Sequence, residues 1–409
     1  MPATPAGCIE PPSEAQAART ARFQAGDVLV LGAGHAAHDI YTAFLPPLLP
    51  VFIANLALSR TEAGLLSVFL QAPSLLQPFL GHLADRFNLR YLVILAPAVA
   101  AILMSLLGVL PGYGLLVVFL TAAGINTAGI HTVGPAMVGA ISGRKMGQGM
   151  SLWMVGGEVA RTLGPIIVVT TVQLFSLQAM PWLMIGGLIA SAILYVRLKD
   201  LPVRSPGFGQ EIPWRQALRA MRPLLAPLIG IVTVRAFMFS ALTTYLPVFL
   251  REEGADLWFA GASLSLLEAA GVVGALLGGS LSDRWGRRRI LFFTLATTPV
   301  LMFLFLFAKD AARLPILLAL GLTALSIAPV VMALVVESFP ESRALASGVY
   351  MGLSFSVRSV AIVVLGLVGD RFGMRLAFTL SAITPLAGVP LLLLLPRDRR
   401  GPGTPLRPK

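Results

Sequence analysis

GSLSDRWGRRRI at Gly279–Ile290 and its edited copy GHLADRFNLR at Gly81–Arg90 decide the architecture of this 409-residue chain. Each copy stands between long apolar runs, and their aspartates, Asp85 and Asp283, lie 198 residues apart, close to half the chain. The repeated unit is therefore a whole bundle and not a short motif. A glycine, then Asp-Arg, then further arginines before the next apolar run make a hydrophilic turn whose cations are held on one side of a bilayer. The pair of loops predicts two related halves and also an orientation.

Composition agrees. Hydrophobic residues make up 56% of the chain and charged residues 12%, with a mean hydropathy of +0.82, against roughly 45–50% and 25% in soluble domains. A hydrocarbon core of about 30 Å takes about 20 apolar residues per helix. Twelve runs qualify, near 27–52, 62–83, 91–110, 113–140, 148–175, 180–198, 223–250, 257–282, 289–308, 314–339, 344–369 and 374–396. The expected fold is an all-α polytopic membrane protein with twelve transmembrane helices in two pseudo-symmetric six-helix bundles, 26–198 and 223–396. A disordered cytoplasmic tail is expected at 1–25, a basic linker at 199–222 (KDLPVRSPGFGQEIPWRQALRAMR) and a second cytoplasmic tail at 397–409. Within the linker, Trp214–Met221 is read as a short helix on the membrane surface.

The formal charge of +12 invites a nucleic-acid partner, but the placement of the cations argues against one. Of the 31 lysines and arginines, 22 fall in the tails and in the loops that share a side with the repeated turn. Arg60, Arg251, Lys309, Arg313, Arg371 and Arg375 alone occupy the opposite loops. The positive-inside bias then predicts cytoplasmic termini in a bacterial inner membrane. The remaining three, Arg161, Arg235 and Arg358, lie inside spans. Cys8 is the single cysteine, so neither an intramolecular disulfide nor a cysteine-based metal site exists. Residues 1–24 lack the apolar core of a cleavable signal peptide.

Ionisable residues within spans are the candidates for function. In GHAAHDIYTAFLPPLLP at 34–50, His35, His38, Asp39 and Thr42 form one helical stripe. An acid at the centre of a span costs roughly 2.5–3.5 kcal/mol on insertion scales, so this stripe faces water or a partner. His131 lies in the fourth span, and as a lone histidine it also suits a neutral place in the core. Glu158 and Arg161 are i, i+3 neighbours in the fifth span, where an ion pair is expected; Gly157 and Gly164 allow close backbone approach, and Gly164-Pro165 weakens the helix. Ser67, Gln71, Ser74 and Gln77 read as uncharged glue between helices. In the second half Arg235 stands where the first half has its His/Asp stripe, Glu268 marks the eighth span, and Arg358 in SFSVRSVA aligns with Arg161 in EVARTLG. The two repeated arginines are expected to face one another across the central axis. Glu337 and Glu341 read as gate or loop acids.

Twelve spans, a basic central linker and the doubled Gly-x-Leu-Ala-Asp-Arg loop resemble the major facilitator superfamily over residues 26–396. The second loop keeps the family pattern at Gly279, Asp283, Arg284, Gly286, Arg287 and Arg288. The first keeps Gly81, Asp85, Arg86 and Arg90 but has Asn88 and Leu89 where Gly and Arg are usual. Within that superfamily the chain is similar to the fosmidomycin resistance group of drug/proton antiporters. The likeness rests on GHAAHDIYTAFLPPLLP, SLLQPFLGHLADR, Gly129-Ile130-His131, QGMSLWMVGGEVARTLGP and ALASGVYMGLSFSV. Thr132 and Val133 follow His131 where that group has Pro and an acid, and Ile166–Val169 replaces later glycines of the antiporter Gly-Pro motif. The resemblance implies a proton-coupled exporter, working by rocking of two halves about a midplane cavity, with Asp85, Arg86, Asp283 and Arg284 latching the cytoplasmic gate.

The residues allow one mechanism in particular. Asp39 and Glu158 are read as proton sites and Arg161, Arg235 and Arg358 as setting the charge of the cavity, because a proton and an arginine are alternative partners for a buried carboxylate. Expected partners are a small amphiphilic or anionic substrate, protons and the lipid bilayer, and the chain is expected to act as a monomer without cofactor or resident metal. Two further readings use the same residues: symport of a small organic acid, and export of a metal or metal chelate held by His35, His38, Asp39 and His131. The metal reading requires His131 to lie within coordination reach of the first span. An enzyme is not expected, since no loop is long enough for a catalytic domain and no phosphate loop or nucleophile elbow occurs.

Overall fold

The computed structural model describes residues 23–394 apart from 78, 81–82, 84–86, 88, 201–213 and 339–342. Nearly all of the proposed tails with Cys8, most of the linker, Gly81, Asp85, Arg86 and Glu341 lie outside the described residues. Most of the rest forms twelve helical rods: α1 Ala25–Leu56, α2 Arg60–Gln71, α3 Ala96–Val109 (preceded by a short helix, Arg90–Ile94), α4 Tyr113–Ser142, α5 Met146–Leu174, α6 Leu177–Leu198, α7 214–252, α8 Leu257–Trp285, α9 Arg287–Phe307, α10 Asp310–Val335, α11 Arg343–Phe372 and α12 Met374–Leu394. Ten contain a stretch long and apolar enough to cross a membrane; α3 is a shorter apolar helix, and α2 turns into a 3-10 segment at Ala72–Leu76, where Pro73 cannot donate to the α-helical ladder. Large side chains such as Phe307, Phe175 and Trp182 remain exposed on the outside of the bundle, as lipid-facing residues must.

Two boundaries differ from the sequence reading. Trp214 does not start a separate surface helix but runs directly into α7 as one helix to Ser240. The eighth helix continues past Gly279 to Trp285, so Asp283 sits in its last turn. Gly286 is the residue that ends it, at φ 97°, a left-handed conformation that glycine adopts without strain.

Within α1 the helix breaks at Ala43–Phe44, just ahead of Pro46 and Pro47, which lack a backbone N–H. Asp39 therefore sits one turn before the break in a two-part rod. Apolar helices gain little from hiding in one another when lipid is equally apolar, so close backbone contact must hold them together. Here α1 lies along α5, and a Cβ added at Gly32 would stand 3.0 Å from the Leu152 carbonyl oxygen, with one at Gly156 even closer to that of Gly32. Gly157 faces the ring of His35, and Gly164 faces Ile40 and Ala43. Likewise α8 lies along α10 through Gly274 and Gly321 and touches α5, where Gly261 meets Val169 and Trp258 Nε1 donates to Thr170 Oγ1 at 3.1 Å.

One end of the bundle is tied by ions. Asp370 of α11 accepts from the Arg60 and Thr61 backbone N–H groups at 2.6 and 3.1 Å and from Thr61 Oγ1, and the Arg60 guanidinium pairs with Glu252 of α7 at 2.6 Å. The same end of α7 carries a π-helical turn at Ala241–Tyr245, and the Tyr245 hydroxyl is shared between the carbonyls of Ile362, at 2.9 Å, and Arg60, at 3.2 Å. Beside it Arg313 lies over the rings of Phe249 and Phe305 and donates to Glu253 at 2.9 Å, with Arg375 on the same carboxylate at 3.2 Å. Thus Arg60, Arg313 and Arg375, cations of the sparse loops, gather at a single end.

Burial pushes the Glu253 carboxyl up, but hydrogen bonds from Arg313 and Arg375 outweigh it and hold the group below its usual range. A depressed carboxylate stabilises the fold above its unfolded pKa and stops doing so as pH falls through the folded value. Glu253→Gln is expected to lose about 1 kcal/mol at neutral pH, since the site is partly solvated. That deficit shrinks only when the pH drops below the ordinary glutamate value of 4.5, as thermal unfolding of purified protein across pH will report. Gly156→Val, which drives a branched side chain into the Gly32 carbonyl, is expected to cost about 1–3 kcal/mol in the same assay. Gly147→Ala, with open space around it, should leave the midpoint unchanged or slightly raised.

Candidate functional site

The α1 stripe, α4 and α5 converge on one cluster. His35 lies flat on Trp153 of α5, ring centroids 4.0 Å apart and 9° from parallel, and its Nδ1 donates to the Trp153 carbonyl oxygen at 2.8 Å. A carbonyl can only accept, so that bond assigns the proton to Nδ1 and turns the Nε2 lone pair inward. Facing it are Asp39 Oδ2 at 3.1 Å and His131 Nε2 at 3.0 Å. His131 Nε2 also stands 3.3 Å from Asp39 Oδ1, which takes a further hydrogen bond from His38 Nδ1 at 2.7 Å. A neutral His35 and an ionised Asp39 would set two lone pairs against each other, so a proton or another cation belongs in the gap between them. His38 is fully buried, with Thr127 Oγ1 3.5 Å beyond it. The His131 side chain retains 31% of its surface and forms the open edge of the cluster.

The second group spans α5 and α8. Arg161 pairs with Glu158 one turn earlier on its own helix and with Glu268 of α8 across a 3.5 Å gap. Its side chain keeps 46% of its surface although it lies in the middle of a long apolar helix, so the space beside it is open. Glu268 is buried and feels both Arg161 and Arg358. Arg358 lies in the field of Arg161 as well as of Glu268, so the acid of α8 is a shared neighbour of the two repeated arginines. Arg358 also donates to Thr243 Oγ1 at 3.2 Å and lies 4.8 Å from the centroid of Phe239, while Arg235 lies 4.9 Å from the same ring. Two guanidinium groups therefore flank one aromatic side chain, and the Nε–H of each is buried with no hydrogen-bond partner among the described residues.

At the far end of α8, Asp283 pairs with Arg287 of the next helix at 2.6 Å and stays 64% exposed, and Arg287 also reaches Ser282. Arg284 and Arg288 lie in the same segment, and Arg90 begins the helix that follows the first loop.

The family model of the Major Facilitator Superfamily matches residues 31–327 and 272–409. The chain belongs to this superfamily. It is a multi-pass membrane transporter, and the all-helical fold matches solved transporters. A bacterial homologue of the human lysosomal transporter Spinster, in an inward-facing and occupied conformation, superposes with a TM-score of 0.78 at 15% identity, over 93% of this chain and 99% of that one. A D-xylose–proton symporter does so with a TM-score of 0.68 at 17% identity, over 90% and 95%. Among curated relatives, the fosmidomycin resistance protein of Escherichia coli is 20% identical over 401 residues, covering 95% of this chain and 98% of its own. The MFS-type transporter YfnC of Bacillus subtilis is 23% identical over 395 residues, covering 91% and 93%.

In this superfamily member the sequence reading missed Trp153, Thr243 and Phe239 as neighbours of the charged groups. Phe239 had a signal, since it stands four residues after Arg235 and so on the same helical face. Trp153 had none, because stacking on a ring from another helix leaves no mark on local periodicity. The pairing of Arg161 with Glu268 yields a direct test. Arg161→Met leaves two acids without their cation and is expected to destabilise the protein by more than Glu268→Gln does. Because the pair is partly open to water, a double-mutant cycle on unfolding midpoints should give a coupling of about 1–2 kcal/mol.

Proposed function

We propose that the protein is a proton-coupled antiporter of the bacterial inner membrane that exports a small anionic or amphiphilic compound by alternating access. Residues 26–198 and 223–396 act as its two moving halves. The observation that carries this reading is the bridge made by Arg161 between Glu158 on α5 and Glu268 on α8. It joins the two halves at mid-depth, beside open space, and is the kind of contact a substrate anion can replace. On one flank lies the Asp39 cluster, which has room for a proton; on the other lie Arg235 and Arg358, whose Nε–H groups have no partner among the described residues and whose shared Phe239 ring suits a carboxylate or phosphonate carrying an apolar body.

Coupling follows from competition. A substrate whose anionic head takes Arg161 and whose donor groups engage the ionised Glu158 and Glu268 keeps protons off those acids; protons entering from the periplasm neutralise the acids and expel the substrate, so the two ligands bind in turn. Asp39 relays charge through His35 and His131, the latter lying in the field of Arg161. The ionic tie among Arg60, Glu252 and Asp370 closes the periplasmic end in this state, and the charge alternation of the loops supports that orientation with cytoplasmic termini. The likeness to a fosmidomycin resistance protein supports a role in resistance to a drug-like compound.

A susceptibility screen of cells with and without the gene, across phosphonates, antimetabolites and dyes, identifies a substrate. Everted vesicles then measure substrate-induced release of an imposed proton gradient. Asp39→Asn and Glu158→Gln are expected to abolish that release while substrate binding to purified protein persists. Undiminished release in both variants refutes the assignment, and accumulation of substrate together with protons in right-side-out vesicles replaces export by uptake.

A further inference from the structure

The gap at the centre of the Asp39 cluster has the dimensions of a metal ion's coordination shell. His35 Nε2 and His131 Nε2 stand 3.0 Å apart, and each faces one oxygen of the Asp39 carboxylate, Oδ2 at 3.1 Å from His35 and Oδ1 at 3.3 Å from His131. Ligand atoms about 2.0–2.1 Å from a zinc-like ion stand about 3.3 Å apart in a tetrahedron and about 2.9 Å apart on an octahedral face. Taken one atom per residue, the three donors lie within 4.8 Å of one another, so small side-chain rotations bring them to the corners a metal needs; they are drawn from α1 and α4, His35 and His131 being 96 residues apart in sequence.

We propose that His35, Asp39 and His131 bind a divalent transition-metal ion of the zinc and cobalt class. Three further observations point the same way. The other ring nitrogen of His35 donates to the Trp153 carbonyl, the outer hydrogen bond that fixes a metal-binding histidine with its lone pair toward the ion, and stacking on Trp153 holds the ring's plane. His38 donates to Asp39 Oδ1 and so orients the carboxylate, making it a positioning residue and not a ligand. His131 is partly exposed, which leaves a path for the ion and a free coordination position for water, as in exchangeable three-ligand sites. Two imidazoles and one carboxylate select borderline ions over magnesium or calcium, which need more oxygen donors. Arg161, the cation acting on His131, is balanced by Glu158 and Glu268.

The binding claim goes beyond the transport reading and uses no step of it. Its consequence for transport does rest on that reading: an ion in the gap excludes the proton, so zinc would inhibit proton-coupled export.

The test uses the full-length protein in detergent, freed of any polyhistidine tag and stripped with a chelator. Titration with cobalt(II) chloride is expected to give visible d–d bands at one ion per chain, and zinc chloride is expected to remove them. His35→Gln, Asp39→Asn and His131→Gln should each weaken zinc binding by about 100-fold or more, and His38→Ala by about 10–100-fold, the range for outer-shell partners. Unfolding midpoints and elution profiles without metal identify any variant that misfolds. His131→Gln, at the open edge, remains decisive if a variant of the buried ligands fails. Cobalt that keeps its hydrated-ion spectrum, or bands that survive His131→Gln in folded protein, overturns the site. Neither result alters proton-driven transport, and absence of such transport leaves the cobalt bands in place, so the two proposals fail separately.

Discussion

A guanidinium lodged between two carboxylates from different helices sets the terms for the centre of this molecule. Arg161 cannot face lipid, and neither can Glu158 or Glu268, because each charge stripped of water and partner is several kcal/mol out of balance. Once α5 and α8 carry these groups, they must come together at that depth, and small residues along the contact permit it. Gly261 accepts the bulk of Val169 where a larger side chain would hold the helices apart. The same requirement explains why the arginine keeps an exposed flank: two acids satisfy its charge but not the whole of its donor fork.

The cluster around Asp39 follows a related logic with weaker groups. Gly32, Gly156 and Gly157 bring α1 onto α5 so closely that one ring stacks on Trp153, and Gly134 on α4 leaves room for the indole's far edge. Three helices thereby place four ionisable side chains within a few ångströms. Their hydrogen-bond roles are over-determined, since one carbonyl fixes His35 and the rest of the network must adjust around it.

Much of this was legible before the coordinates. The 3.6-residue period alone puts His35, His38 and Asp39 on one face, and the expense of charge in hydrocarbon turns that face inward. Repetition of the Asp-Arg loop implied two halves, and membrane composition implied helices throughout. Partners across helices were not legible. Nothing local says that Glu268 will pair with Arg161, or that His131 will reach Asp39. Those outcomes depend on where glycines let backbones touch, and the sequence marks such glycines without naming what they touch. Element ends were also obscure, as at α8, where Asp283 belongs to the helix and Gly286 does the stopping. Likewise α7 continues from Trp214 to Ser240 through Pro223 and Pro227, although the polarity of its first turns suggested a separate surface element.

The phenol of Tyr245 has one hydrogen and two backbone oxygens competing for it, one on α2 and one on α11. Such a bifurcated arrangement is geometrically tight but energetically lopsided: the nearer acceptor, Ile362, lies at 2.9 Å and keeps most of the bond, and the Arg60 carbonyl is held mainly by proximity. Separating α2 from α7 along that seam would forfeit only the minor share of one hydrogen bond, and the phenol would stay anchored to α11. The tyrosine therefore behaves as a pin fixed to one leaf of a hinge and merely resting against the other.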